Sequence, residues 1–452
     1  MPRGQLCELH VHFAGCLRAE HVLDPMADGS FDWSPYEDRY ELAYGEYPRI
    51  RDLLRNHRIG EDVREEFKRL FVFDASDSGN FDRFQAKYSL LAAGSHFSDA
   101  ELQHRLTQDF VDEISKDMAA IAADCRAHDI GHCEIRIMLG AHRPERIRIA
   151  MLTRLLELCR DNSDDDLTVR LTPSVPRGDA LANWPSLRDL ALGELGEWIV
   201  GVDFCHVEEG HPPRQEQAFA DTLHAFNEEH PERALALLYH VGESFRDKSL
   251  ESAIRWCEEA ACSLRAHRLG HCIALGIDPD HFAEHERHER VDERRAQIAY
   301  DLAHFDALVA AGVPLTRDAL EREAAELAEL PDDQTLAVLY DRARLDALRA
   351  RQRLACAAVR DSGAIVEICP TSNERIAGLT DREHHQLFRL HAENVPFVVS
   401  ADDPGLLDIT LAAEIDWVSK GSGIASDELN QRAWQARSEI LSGRAAALHQ
   451  GA

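Results

Sequence analysis

No stretch of the 452-residue chain approaches the ~18 consecutive apolar residues of a membrane span, so no membrane partner is expected. The 11 cysteines never form a CxxC pair. His206-Val207-Glu208 supplies the HxE half of a cysteine-based zinc site, but no PCxxC follows, and that metal architecture is excluded. Cys7, Cys205 and Cys369 fall in apparent core strands, where a thiol acts as a small hydrophobe and suits a reducing compartment. Basic residues are scarce: 50 Lys and Arg stand against 81 Asp and Glu, a net charge of −31 that repels polyanions and argues against nucleic acid as a partner. No apolar segment precedes the first strand, so a secretory signal is not expected and a cytoplasmic location is. Repeats and low-complexity linkers are also missing. With 44% hydrophobic residues the chain can fill one large core, and residues 1–452 read as a single elaborated domain.

What is present begins at Glu8-Leu9-His10-Val11-His12-Phe13-Ala14-Gly15. Strand alternation puts Leu9, Val11 and Phe13 on one face and His10 with His12 on the other, which makes either half of a metal site or a satisfied pair. Three later apolar runs also end in groups able to ligate or move protons: Tyr239-His240-Val241-Gly242-Glu243, Arg268-Leu269-Gly270-His271 and Ser400-Ala401-Asp402-Asp403-Pro404. Further strands are expected at Cys133 to Met138, Leu167 to Thr172, Ile199 to Cys205 and Ala364 to Cys369. Most of the eight strands are separated by helix-length amphipathic segments. One such stripe runs through Leu102, Leu106, Phe110, Ile114, Met118 and Ile121. The economical closure is an α/β fold, a parallel (β/α)8 TIM barrel with helical insertions. Glu134 and Arg136 share a face of the second strand and are expected to fill the barrel rather than perform chemistry.

The order HxH, HxGE, Gly-His, Ser-x-Asp-Asp-Pro resembles the adenosine deaminase family of the amidohydrolase superfamily. Cys369-Pro370-Thr371-Ser372-Asn373 is similar to that family's CPxS segment, a tight turn on the pocket floor. The resemblance implies a metal-dependent hydrolase barrel with one Zn2+ per subunit, Fe2+ being the alternative ion, held by His10, His12, His240 and Asp402. It further implies hydrolytic deamination of a 6-aminopurine nucleoside or nucleotide, with Glu243 as general acid to ring N1, His271 as general base and Asp403 bonded to N7. Gly242, Ala14 and His206 are counted with Asp403 as substrate contacts. Two departures touch those contacts: Ala14 replaces an acidic residue, and Asp203-Phe204-Cys205-His206 replaces Asp-x-x-Gly. An uncharged Ala14 would relieve repulsion against a 5′-phosphate, or the changes only reshape a nucleoside pocket.

Two insertions are expected, one over 28–68 after the first strand and a helical one over 276–360 between the sixth and seventh strands. The segment Arg268 to Pro279, with the insertion that follows, resembles deaminases of bacterial antiphage systems. In those systems the enzymes act on adenine nucleotides or RNA and form large oligomers, and a homo-oligomer is expected here. His281, His285 and His288 read as a solvated helix face rather than a second metal site. Arg342, Arg344, Arg349, Arg351 and Arg353 either pair with the chain's own carboxylates or face a phosphate or partner subunit, internal or intersubunit pairing being favoured. The alternatives are another amidohydrolase reaction on a modified purine or other cyclic substrate, and a non-catalytic scaffold. A two-metal site bridged by a carboxylated lysine is disfavoured because no lysine lies in the strands.

Overall fold

The protein is described from a computed structural model that covers residues 5–27, 33–55, 61–94, 104–138, 143–205, 207–244, 246–282, 287–379 and 382–441. Strands β1 (Leu6–His12), β2 (Ile130–Met138) and β3 (Thr168–Ser174) pair in parallel. A second parallel run joins β4 (Gly201–Val202), β5 (Ala236–Val241) and β6 (Arg268–His271). A hairpin of β7 (Arg287–Arg290) and β8 (Thr335–Val338) lies apart from both, while β9 (Ile365–Ile368) and β10 (Phe397–Val399) extend the second run in the order β10-β9-β6-β5-β4.

Two seams close the ring. Val11 bridges Asp402 in parallel, with His12 N–H to Asp402 O at 3.0 Å and Asp402 N–H to His10 O at 2.9 Å. Leu171 bridges Ile199 and Ser174 bridges Asp203, joining β3 to β4. The result is the expected eight-stranded parallel barrel, and its C-terminal rim gathers every motif singled out above. Helices cover the outside. The stripe expected after residue 100 becomes the helix Gln108–Ala127, started by the Thr107 side chain accepting Phe110 N–H and burying Phe110, Ile114, Met118 and Ile121. Each such side chain contributes about 1.5–3 kcal/mol by burial.

Between β1 and that helix lie Ala19–Ala27, Ser34–Tyr44, Ile50–Arg55, Glu61–Phe71 and Phe81–Gly94, all helical. Two of these, Ser34–Tyr44 and Phe81–Gly94, lend residues to the pocket wall. The later insertion is helical but not only helical. The segment from Asp280, expected as one helix face, is instead a short 3-10 turn ending at Phe282, then β7, then a helix Val291–Ala303. The antiparallel β7–β8 ladder breaks the helix because Glu289 turns inward, where its carboxylate accepts Ser249 N–H at 3.1 Å and Ser252 Oγ–H at 2.6 Å. His281 lies 3.2 Å from the Ala377 carbonyl, and His285 falls outside the described residues. Four of the five arginines pair with the chain's own carboxylates: Arg342 with Asp280 at 3.0 Å, Arg344 with Glu251 at 2.7 Å, Arg349 with Asp278 at 2.9 Å and Arg351 with Asp301 at 2.7 Å. Among the described residues no helix is long and apolar enough to cross a membrane.

Candidate active site

The barrel interior is polar below the rim. Arg136 and Arg268 both pair with Glu367, and Arg268 also pairs with Glu134, so Glu134 and Arg136 are lattice members of the barrel filling. Above this layer, alternation along β1 aims His10 and His12 inward, β5 delivers His240, and the turn after β10 delivers Asp402. His10 Nε2 and His12 Nε2 lie 3.3 and 3.2 Å from Asp402 Oδ1, and His240 Nε2 lies 3.3 Å from His12 Nε2.

The far side of each group is held. Glu367 Oε2 stands 3.0 Å from His10 Nδ1, Asp203 Oδ1 stands 3.1 Å from His240 Nδ1, and Ser372 Oγ donates to Asp402 Oδ2 at 2.6 Å. Arg136 packs along the same edge of His10, its Nη1 2.7 Å from Nδ1. At His240 the Asp203 carboxylate keeps the proton on Nδ1 and turns the Nε2 lone pair into the cavity, whereas His10 Nδ1 stands between the Glu367 carboxylate and the Arg136 guanidinium. Burial presses His240 down to about 3, against the pull of Asp203, so its ring is neutral at ordinary pH. Burial raises Asp402, but His271, His10 and His12 overcome it and hold the carboxyl well below its usual range. Burial lowers His12, but its hydrogen bond to Asp402 overcomes that and holds the ring well above its usual value, while His10 Nε2 and Asp402 Oδ1 are buried without a hydrogen-bond partner. Two unpartnered buried ligand atoms among converging imidazoles and a carboxylate fit a bound cation, and the three imidazoles form a metal-competent cluster among the described residues.

Three further groups ring this centre. Glu243, half-buried beside a cavity, is pushed well above its usual value by burial, with Asp402 and Glu208 adding to the effect. Asp403 is raised by burial and by the Asp402 charge to about 8. Its carboxylate occupies the space over Gly15, where an added Cβ would lie 1.6 Å from Oδ1. His271 has a left-handed backbone, φ 65°, as does Asp402 at φ 63°; such strain in non-glycine residues gathers where the chain is forced to aim a side chain.

Burial holds the His271 ring well below its usual value, hence neutral. Its Nδ1 lies 2.9 Å from Asn373 Nδ2, and Asn373 Oδ1 accepts the Cys369 backbone N–H at 3.1 Å, which fixes the amide's orientation. Asn373 therefore donates to Nδ1, and the neutral ring carries its proton on Nε2, 3.5 Å from Glu243 Oε1.

The cavity in front of these groups has a volume of about 430 Å³, in the range of small-molecule sites. His12, His240, Glu243, His271, Asp402, Asp403 and Ala14 line it, so three of the four expected ligands and the proton-transfer residues converge on one space, with His10 buried behind Asp402. Its outer wall is apolar and aromatic, with Phe81, Phe84 and Tyr88 from the helix Phe81–Gly94 and with Arg39 at the side. Gly242 does not line it. At φ 64° its Cα packs where a Cβ would lie 2.6 Å from Cys257 Sγ, and its N–H goes to Glu208 at 3.0 Å, so it is not free for a substrate. His206 lies outside the described residues. Glu367, Asp203, Ser372 and Asn373 were not singled out individually, although Ser372 and Asn373 sit in the CPTSN segment. Glu208 carried no signal beyond its place in the discarded HxE pair.

The adenosine deaminase family model matches residues 332–442, which include CPTSN and the Asp402-Asp403 pair. An aminodeoxyfutalosine deaminase of Acidothermus cellulolyticus is 29% identical over 182 residues, 35% of this chain and 51% of that one. An adenine deaminase of Rhizobium rhizogenes is 33% identical over 70 residues, 16% of this chain and 22% of the other. The chain thus spans about half of the first relative's length and less of the second's. Among solved structures, an N6-mAMP deaminase from Arabidopsis superposes with a TM-score of 0.53 at 14% identity, covering 96% of each chain. An amidohydrolase from Burkholderia ambifaria with bound Zn superposes with a TM-score of 0.52 at 12% identity, covering 96% of this chain and 85% of that one. These structures share the barrel fold. The family match over residues 332–442 and the order of the motifs make the chain similar to the adenosine deaminase family, and the solved structures share its fold.

Proposed function

We propose that the protein catalyses metal-dependent hydrolytic deamination of a 6-aminopurine nucleoside or nucleotide, replacing the exocyclic amine by oxygen and releasing ammonia. The observation that carries this is the convergence of His12, His240, Asp402, Glu243 and Asp403 on one cavity, with His10 Nε2 and Asp402 Oδ1 buried behind it without a hydrogen-bond partner. His10, His12, His240 and Asp402 would hold the ion, Zn2+ or Fe2+, which when bound supplies a Lewis acid that makes water nucleophilic near neutral pH. Glu243, protonated because its carboxyl is raised, donates to ring N1 and so makes C6 electrophilic. Asp403, protonated below about 8, donates to N7 and orients the ring. His271 meets the incoming oxygen, and here the geometry departs from the expected general base: the tautomer set by Asn373 presents Nε2–H, a donor.

A nucleotide is the favoured form of the substrate. Ala14 brings no charge to the cavity, and Arg39, whose guanidinium donates to Ser89 Oγ, is a cation on its wall. The test is ammonia release by the zinc-loaded protein offered adenine, adenosine, AMP, ADP and ATP. Aminodeoxyfutalosine completes the panel, and N6-methyl-AMP is added with methylamine, its leaving amine, read in place of ammonia. Activity should be lost on chelation, return with zinc, and fall by orders of magnitude to a small residual rate in Glu243→Gln. Arg39→Ala should raise KM for a phosphorylated substrate and leave adenosine unchanged. No ammonia or methylamine from any member with metal bound would refute the reading.

A further inference from the structure

The turn that carries Glu243 is gripped from outside the cavity. Glu208 follows β4, is 5% exposed and lines no part of the cavity. Its Oε1 accepts Gly242 N–H at 3.0 Å, and its Oε2 accepts Glu243 N–H at 3.2 Å and Ser244 N–H at 3.3 Å. Three successive backbone donors thus converge on one carboxylate, an anion-binding concavity filled by the chain itself. Gly242, left-handed at φ 64°, is what lets the backbone bend round the carboxylate. Lys248 backs the arrangement: buried, its Nζ lies 3.9 Å from Glu208 Oε1, 2.7 Å from Asp247 and 3.3 Å from the Ser244 carbonyl, over the Trp256 ring. The next residue, Ser249, is capped by Glu289 of the insertion. Among the described residues from His240 to Ser249, Glu243 is the one besides His240 that lines the cavity.

We propose that Glu208 is a positioning residue for Glu243, fixing the backbone of the turn so that the acid's carboxyl stands where ring N1 arrives; this rests on the deaminase reading above. Glu208 touches no substrate and acts through three main-chain hydrogen bonds. Glu208→Gln keeps the size of the side chain but turns an N–H towards N–H donors, breaking part of the grip. An offset of about 1 Å at a reacting group costs on the order of 100-fold in rate, so kcat should fall about 10- to 100-fold with KM little changed.

The readouts separate positioning from general damage. In a Glu243→Gln background the second change should cost almost nothing further, because residues acting as one unit are not additive. Hydrogen exchange of the 242–244 amides should quicken in Glu208→Gln while the rest of the barrel keeps its protection. Unchanged kcat, a loss that multiplies with that of Glu243→Gln, or unchanged exchange at 242–244 would each overturn the proposal. Should Glu208→Gln fail to fold, Glu208→Asp, which keeps the charge beside Lys248 and shortens the reach, is judged by the same three readouts. Should the wild-type protein deaminate none of the purines, the deaminase reading falls, and the exchange measurement alone decides whether Glu208 holds the turn.

Discussion

Gly15→Ala isolates the demand that the site places on one missing methyl group. Gly15 lies in a short 3-10 turn, Ala14–Cys16, and its backbone is not left-handed, so alanine can adopt the conformation. By the unfolded-state argument alone the substitution would stabilise the protein by about 0.4–1 kcal/mol. The added Cβ, however, would lie 1.6 Å from Asp403 Oδ1 and 2.5 Å from Cγ, where real Cβ contacts essentially never fall under 3.0 Å. The carboxyl must retreat by about 1.4 Å, away from the position that meets N7. A displacement of that size costs about 100-fold in kcat/KM, or about 2.7 kcal/mol of transition-state stabilisation. Zinc content and melting temperature, measured beside ammonia release, should stay near wild type, because the three atoms nearest the new methyl group all belong to Asp403, which is not among the proposed ligands. A variant within a few-fold of wild-type kcat/KM would refute the assignment of Asp403 to the substrate.

The parts of this site legible in the sequence are those written in short-range code. His10 and His12 share a face because strand alternation has period two, and one run delivers them. Glu243 and Asp403 follow their ligands by three residues and one, so each is placed once its strand is. What was not legible depends on closure of the ring. Asp203 holds His240 only because β4 neighbours β5, and Glu367 holds His10 across the barrel, a pairing 357 residues apart in the chain. Neither carboxylate differs locally from the many others of an acidic sequence. The fold shows the same division. Eight apolar runs announced the barrel, although β4 shrinks to two ladder residues with isolated bridges beside it, Ile199 to Leu171 and Asp203 to Ser174. The β7–β8 hairpin was missed because Arg287-His288-Glu289-Arg290 has no apolar alternation. It is a strand because Glu289 is anchored to Ser249 and Ser252, a tertiary reason overriding a local one. Gly242 is counted among the substrate contacts in the sequence reading, whereas its hydrogen bond runs outward to Glu208.

Two predictions turn on which groups carry protons. A carboxyl raised to about 8 is a donor below that pH and loses its proton as pH rises through it, so kcat/KM should fall on the alkaline side as Asp403 ionises. Asp403→Asn keeps an N–H for N7 and should abolish that alkaline limb in a pH–rate profile; a limb that persists unchanged would assign it to another group. The second concerns His271. Asn373 donates to Nδ1 while its Oδ1 keeps the Cys369 N–H, so Asn373→Asp preserves the latter bond and replaces the donor by an acceptor. The ring's proton then moves to Nδ1, and Nε2 faces the cavity as a bare lone pair. A donor role for His271 loses its hydrogen bond to the incoming oxygen, and kcat should fall about 100-fold, as when one oxyanion donor is removed. A general base gains the lone pair it needs, so a variant whose kcat is retained or raised would restore the role expected from the sequence. Imidazole nitrogen NMR on the metal-loaded variant verifies the change of tautomer itself and keeps a lost rate from being mistaken for a displaced ring.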